Sequence, residues 1–144
     1  GGLPTINSMA LEKVLNLLSS EENEIGTLVT QFEREEDLKK EQFVKAVCNL
    51  SGSETESYAE NFVRKQGDYD SKNLFHHIGI YSFKRDALEK FVTLSQTDRE
   101  KNEKLEQLRA LDNNMKIKIG LIDFLPLGVD TPDDLEEIRK ILSK

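Results

Sequence analysis

The sequence has little cysteine and proline, no tryptophan and no long apolar run. One of its 144 residues is cysteine, Cys48, and three are proline. A single cysteine excludes an internal disulfide framework and a cysteine-based zinc site, and it fits a reducing compartment. No apolar segment approaches the roughly 20 residues that a membrane-spanning helix needs, and the first residues do not have the pattern of a signal peptide.

Basic residues are also in the minority. Twenty Lys and Arg face 27 Asp and Glu, which gives a net charge of −7 at pH 7. This balance argues against non-specific nucleic-acid binding, because neutralising phosphates needs a basic face. A globular chain of about 150 residues buries roughly 68–70% of its unfolded surface, so a core without disulfides or metals is within reach. We therefore expect one domain over residues 1–144.

Hydrophobic spacing predicts helices and strands that alternate along the chain. The first predicted helix begins at Asn7 or Ser8 and has Leu11, Val14, Leu15 and Leu18 on one face. A second covers 85–94, a third begins at a Thr97–Glu100 capping box, and a fourth has Pro132 in its first turn. Strands are predicted over 25–30, 43–50, 58–64, 75–83 and 116–122, with a solvated, charge-dense connection over 33–41. This order favours an α/β layered sandwich with a mixed, mainly parallel sheet, in which Cys48 is a core residue.

Two polar residues share one face of the predicted strand 75–83. His77 and Tyr81 flank the side-chain-free Gly79, and strand geometry separates them by roughly 13 Å. A ligand lying over the glycine would then meet a polar group at each end. The alternative is a strand with one hydrogen-bonded histidine and one packed tyrosine.

Two further segments carry polar side chains, and each has two interpretations. Glu106 and Arg109 fit an ordinary surface ion pair, whereas Gln107 offers the paired donor and acceptor that sugar hydroxyls need. Asp130, at the start of the last predicted helix, suits either Mg²⁺ coordination or helix capping. No Walker-type loop, glycine-rich dinucleotide fingerprint, His-Glu-x-x-His motif or Gly-x-Ser-x-Gly motif is present.

Taken together, these motifs resemble those of a known family. The chain contains, in this order, His77-Ile78-Gly79-Ile80-Tyr81, Leu105-Glu106-Gln107-Leu108-Arg109 and Gly128-Val129-Asp130-Thr131-Pro132-Asp133-Asp134-Leu135. This order is similar to that of the 3-deoxy-manno-octulosonate cytidylyltransferases, also called CMP-KDO synthetases. Two more segments are similar to the family's Val-Lys-Val-Val strand and Phe-Ser-Arg segment, namely Phe43-Val44-Lys45-Ala46-Val47 and Phe62-Val63-Arg64. The resemblance spans nearly the whole chain but only the C-terminal part of a family chain.

The resemblance implies transfer of CMP from CTP to 3-deoxy-manno-octulosonate (KDO), with Mg²⁺, for lipopolysaccharide biosynthesis in the cytoplasm. It also implies a homodimer and a nucleotide-diphospho-sugar transferase fold. Carried over by position, it implies that the sugar acid is contacted by His77, Tyr81, Glu106 and Gln107. It further implies two catalytic residues: Arg64, facing a carboxylate or phosphate, and Asp130, binding the metal.

The chain also departs from the family pattern. Gly2 stands where the family has a metal-binding Asp, Val63 and Lys65 replace Ser and Ala, and the turn after Gly52 is longer. The family's CTP-binding loop, which precedes this region, is absent. We therefore expect the C-terminal, sugar-binding and dimer-forming part of a longer cytidylyltransferase chain, inactive by itself. The alternatives are a non-catalytic binding or dimerisation module with the same fold, and a cytidylyltransferase for another acidic sugar.

Overall fold

The computed structural model describes residues 8–123, in which six strands form a curled sheet and helices pack on it. The helices are α1 (Ser8–Asn16), α2 (Arg85–Thr93), α3 (Asp98–Glu103) and α4 (Leu108–Asp112). The strands are β1 (Ile25–Thr30), β2 (Lys45–Val47), β3 (Glu56–Tyr58), β4 (Asn61–Val63), β5 (Leu74–Phe83) and β6 (Ile117–Leu121). Short 3₁₀ turns cover Glu35–Lys39 and Ser71–Asn73.

The sheet is mixed, with the strand order β3-β6-β1-β5-β2-β4. This confirms the α/β class and the mixed sheet that the sequence predicts. The expectation of a mainly parallel sheet is wrong for the described residues, because only β1 and β6 are parallel and the other neighbouring strands are antiparallel. Parallel neighbours need long crossover connections, and much of this sheet is built from short strands joined by turns and extended segments.

A continuous segment joins the two edges of the sheet. β3 pairs with β6 at one end of the strand order, and β4 pairs with β2 at the other. Between them, the Ala59 amide donates to the Ile117 carbonyl at 2.9 Å and the Glu60 amide donates to the Val47 carbonyl at 2.8 Å. The single strand predicted over 58–64 is therefore two strands with different partners, and the sheet closes on itself.

The two faces of the sheet carry separate cores. We call the enclosed side the inner face; its cluster combines strand residues such as Val29, Phe62 and Tyr81 with helix residues such as Phe91 and Leu108. Cys48 belongs to this cluster and is fully buried, as predicted, and burial raises the pKa of its thiol to about 12. The thiol is therefore a core group rather than a nucleophile.

The outer face is covered by α1 at one end. Val14 and Leu17 pack there on Leu28 and Ile80. A Cβ at Gly26 would stand 2.5 Å from the Ser82 hydroxyl oxygen and 3.1 Å from a Leu17 carbon. Glycine in β1 therefore lets the helix approach the sheet closely.

The sequence predicted that the charged segment 33–41 is a solvated connection, but part of it is buried. Its 3₁₀ turn buries Leu38, which packs with Val47 and Leu74 on the outer face beyond α1. One apolar residue among many charges is a weak periodic signal, and the contact is set by the tertiary structure. The segment thus fixes the chain just before β2.

The helix predicted from Thr97 is interrupted after one and a half turns. Thr97 and Glu100 form the expected capping box at the start of α3. Lys104 then adopts a left-handed conformation with φ of 59°, and α4 begins only at Leu108. The turn 104–107 between the two helices carries Glu106 and Gln107. The helix predicted from Pro132 lies outside the described residues.

Candidate functional site

His77 and Tyr81 lie on the inner face with their rings in edge contact. Thr27 of β1 pairs with Tyr81 of β5, but the next residue, Leu28, pairs with Ile78. The chain between Ile78 and Tyr81 therefore forms a bulge, which draws the two rings to a centroid separation of 5.5 Å. The roughly 13 Å that strand geometry predicts is a separation along the backbone, whereas the two rings themselves are in contact, so the open space expected between these side chains is not there.

Thr27 holds His77 in place. The Thr27 side chain is fully buried; its Oγ1 lies 2.9 Å from His77 Nε2 and 2.8 Å from the Ile80 carbonyl. A hydroxyl has one proton, so when that proton is donated to Ile80, His77 donates its Nε2–H to the same oxygen. The Phe62 ring packs on the imidazole at 4.8 Å. Sequence reasoning missed Thr27, although a hydroxyl in an otherwise apolar strand was a signal.

Glu106 and Gln107 lie on the turn between α3 and α4. Glu106 is exposed and Gln107 is half-buried. Within the described part of the chain, neither side chain makes a hydrogen bond or an ion pair. A carboxylate and an amide are thus presented together with their hydrogen-bonding capacity unused, which is what a polyhydroxylated ligand needs.

The predicted ion pair between Glu106 and Arg109 is wrong. Arg109 instead binds Glu100 through two parallel hydrogen bonds, from Nε to Oε1 at 2.9 Å and from Nη2 to Oε2 at 2.6 Å. These bonds hold the pKa of Glu100 below its ordinary value and raise that of Arg109. The Arg109 guanidinium also lies over the Phe91 ring at 4.8 Å. The pair braces α3 against α4 and leaves the Glu106 carboxylate to solvent.

The turn and the histidine are anchored on the same core. Leu105 and Leu108, on either side of Glu106 and Gln107, belong to the inner-face cluster that also contains Tyr81 and Phe62. The turn with Glu106 and Gln107 and the strand with His77 and Tyr81 therefore border the same hydrophobic cluster.

Arg64 lies at the end of β4 and reaches toward main-chain atoms. Its Nε donates to the Glu103 carbonyl at 2.7 Å, its Nη1 to the Glu41 carbonyl at 3.2 Å and its Nη2 to the Lys104 carbonyl at 3.2 Å. Sequence reasoning missed these acceptors because a backbone carbonyl has no side-chain signature. The role of Arg64 toward a carboxylate or phosphate stays a prediction.

The metal prediction falls on a residue that the structure does not describe, Asp130. Among residues 8–123, no group of three or more His, Cys, Asp or Glu side chains is arranged to hold a metal ion. The helices within the same range also include none that is long and apolar enough to cross a bilayer.

A separate cavity of about 320 Å³ opens beside the 3₁₀ turn 35–39. Its lining includes Phe32, Asp37, Phe43 and His76, and none of the predicted site residues that fall within 8–123. His76 stacks on Phe32 with a centroid separation of 4.9 Å, and burial lowers the pKa of its imidazole. The two neighbouring histidines thus face different surroundings, as alternation along β5 requires.

Comparisons with known proteins give a consistent result. A model of the cytidylyltransferase family matches residues 1–117. The chain is 44% identical, over 99% of its length, to the 3-deoxy-manno-octulosonate cytidylyltransferase of Rhizobium johnstonii, and it covers 57% of that relative. It is 42% identical to the enzyme of the same name from Paramagnetospirillum magneticum, again over 99% of its length and 58% of the relative. The chain therefore spans a little over half the length of these curated relatives.

A solved structure of CMP:2-keto-3-deoxy-manno-octonic acid synthetase in complex with CTP also matches. It superimposes with a TM-score of 0.73 and 26% identity, covering 96% of this chain and 57% of the other. This match confirms the nucleotide-sugar transferase fold that the sequence resemblance implied. With the family model covering residues 1–117, the chain belongs to the cytidylyltransferase family.

Proposed function

We propose that this chain is the sugar-acid-binding part of a CMP-KDO synthetase, which transfers CMP from CTP to KDO for lipopolysaccharide biosynthesis in the cytoplasm. The observation that carries the proposal is that the Glu106 and Gln107 side chains make no hydrogen bond or ion pair within residues 8–123, on a chain 44% identical to a curated KDO cytidylyltransferase. The turn that carries this pair is anchored through Leu105 and Leu108 in the inner-face cluster, which also contains Tyr81. A sugar acid would bind at the edge of this cluster.

The proposed contacts follow from the chemistry of each group. The Glu106 carboxylate accepts hydrogen bonds from sugar hydroxyls, and the Gln107 amide both donates and accepts. His77, held by Thr27, and Tyr81 supply the wall of the site. Arg64 has guanidinium N–H groups beyond the three that its carbonyl acceptors use, and these are directed to the sugar carboxylate or a phosphate.

For the whole protein, we propose that CTP and Mg²⁺ bind as well and that two copies of the chain form a homodimer. The described residues do not form a metal site by themselves. As the family resemblance implies, we propose that Asp130 would hold Mg²⁺ together with phosphate oxygens, a donor set that this hard cation favours. When bound, the ion offsets phosphate charge during transfer. The part played by residues 8–123 is to bind and orient the sugar acid.

Isothermal titration calorimetry of the chain with KDO tests the proposal. Glu106→Ala and Gln107→Ala are each expected to weaken binding about tenfold, because each removes a hydrogen bond to the ligand. Glu89→Ala is the matched control, since Glu89 is an exposed carboxylate on α2. It is expected to bind as the unchanged chain does.

The outcomes of this titration separate the alternatives. No heat of binding with KDO, or equal losses in Glu106→Ala and Glu89→Ala, would contradict the proposal. Tighter binding of a different acidic sugar would support a cytidylyltransferase of another specificity. The chain alone is expected to release no pyrophosphate from CTP and KDO, and release would show that more than sugar binding is present.

A further inference from the structure

Lys45, the first residue of β2, is fully buried. A buried ammonium is costly unless its donors are satisfied. The Lys45 Nζ donates to the Lys40 carbonyl at 2.7 Å and also to the Arg64 carbonyl. No carboxylate lies within ion-pair distance of this nitrogen among residues 8–123. The charge is therefore used to tie main-chain segments together.

Lys45 fixes the backbone from which the Arg64 side chain extends. On one side Lys45 holds the chain after the 3₁₀ turn 35–39, and on the other it holds the residue that follows β4. The Arg64 guanidinium then donates to the carbonyls of Glu41, Glu103 and Lys104. The hydrogen bonds of Lys45 and Arg64 thus connect the outer face of the sheet to the end of α3.

The end of α3 is a place where such support is needed. Lys104 has a left-handed backbone without being glycine, a conformation that persists only where the surroundings hold it. Arg64 binds the carbonyl of this residue and the one before it. Two and three residues later the chain presents Glu106 and Gln107. The position of these two side chains therefore depends on the hydrogen bonds that the Arg64 guanidinium donates to the two carbonyls.

We propose that Lys45 is a positioning residue, which acts through Arg64 to fix the turn 104–107 for ligand binding and does not itself touch the ligand. The identity of the ligand, KDO, rests on the proposed function. The effect of Lys45 on the position of Arg64 and of the turn does not. Lys45 sets the place of Arg64, and Arg64 sets the place of the turn.

The test is Lys45→Met, which keeps most of the side-chain length and removes the donors. The Arg64 Nε–H resonance in a ¹H–¹⁵N spectrum of the ligand-free chain is expected to broaden or shift, and amide hydrogen exchange over 104–107 to accelerate. KDO affinity is expected to fall about tenfold. Val47→Ala is the matched control, because Val47 is buried on the same face of β2 and has no side-chain link to Arg64. It is expected to lose stability but to keep the Arg64 signal and the affinity.

An unchanged Arg64 resonance and unchanged exchange in Lys45→Met would overturn the proposal, as would equal loosening of the turn in Val47→Ala. If Lys45→Met does not fold, Arg64→Lys interrupts the same route one step later. It must accelerate exchange over 104–107 in the ligand-free chain, and failure to do so also overturns the proposal. A chain that does not bind KDO at all would refute the proposed function, while the resonance and exchange data would still decide the role of Lys45.

Discussion

Replacing Arg109 by alanine is expected to lower the free energy of unfolding by about 3 kcal/mol. The change leaves the Glu100 carboxylate, whose side chain is 5% exposed, without its bidentate partner. It also removes the guanidinium from the Phe91 ring. Urea unfolding monitored by circular dichroism measures the loss. Because α3 and α4 are braced by this pair, the turn that carries Glu106 loosens with it.

Arg99→Ala is the control for the Arg109 substitution. Arg99 also binds a carboxylate, Asp112, but its side chain is 42% exposed. Solvent screening limits that pair, so the expected loss is about 0.5 kcal/mol. Equal losses in the two variants would contradict the assignment of a buried brace.

The ion pair of Arg109 and Glu100 makes the stability of the fold depend on pH. Arg109 lowers the folded-state pKa of Glu100 below its ordinary value of 4.5. The resulting stability is present above pH 4.5 and is lost as the pH falls through the lower, folded-state pKa. In Arg109→Ala, the free energy of unfolding is expected to fall less steeply as the pH is lowered below 4.5. A fall as steep as that of the unchanged chain would show that other carboxylates dominate the acid dependence.

Replacing Thr27 by valine is expected to cost about 2 kcal/mol of stability. Valine keeps the shape of threonine, but it leaves His77 Nε2 and the Ile80 carbonyl without their shared partner. KDO affinity should fall as well, because the imidazole loses the hydrogen bond from which its orientation follows. Thermal unfolding and calorimetry measure the two effects separately.

Thr93→Val is the control for the Thr27 substitution. The Thr93 hydroxyl makes a bond of similar length, 2.7 Å to the Lys90 carbonyl, but on the exposed end of α2. Water replaces that bond, so stability is expected to change by less than about 0.5 kcal/mol. A Thr27→Val chain as stable as Thr93→Val would mean that the bulge does not depend on this hydroxyl.

Local patterns predicted much of the fold correctly. The apolar spacing before residue 18 located α1, although Leu15 is 43% exposed and the buried positions are Ala10, Val14 and Leu17. The Thr97–Glu100 capping box marked the start of α3. Such features depend on residues close in sequence, and sequence spacing reports them directly.

Features that depend on distant partners were not predicted. Strict alternation along β5 did not predict the contact between the His77 and Tyr81 rings, because the bulge arises from pairing with β1. The partner of Arg109 was misjudged because Lys104 breaks the helix, which brings Glu100 rather than Glu106 to the guanidinium. Mainly parallel pairing was expected from the order of elements, whereas the actual neighbours are set by how the sheet closes.

The proposed binding site for the sugar acid is the edge of the inner-face cluster around His77 and the turn 104–107. A ¹H–¹⁵N NMR titration of the chain with KDO tests this site. We expect chemical-shift changes at His77, Tyr81 and residues 105–107, with little change at Phe32 and His76 in the separate cavity. Changes confined to that cavity, or none at millimolar KDO, would contradict it.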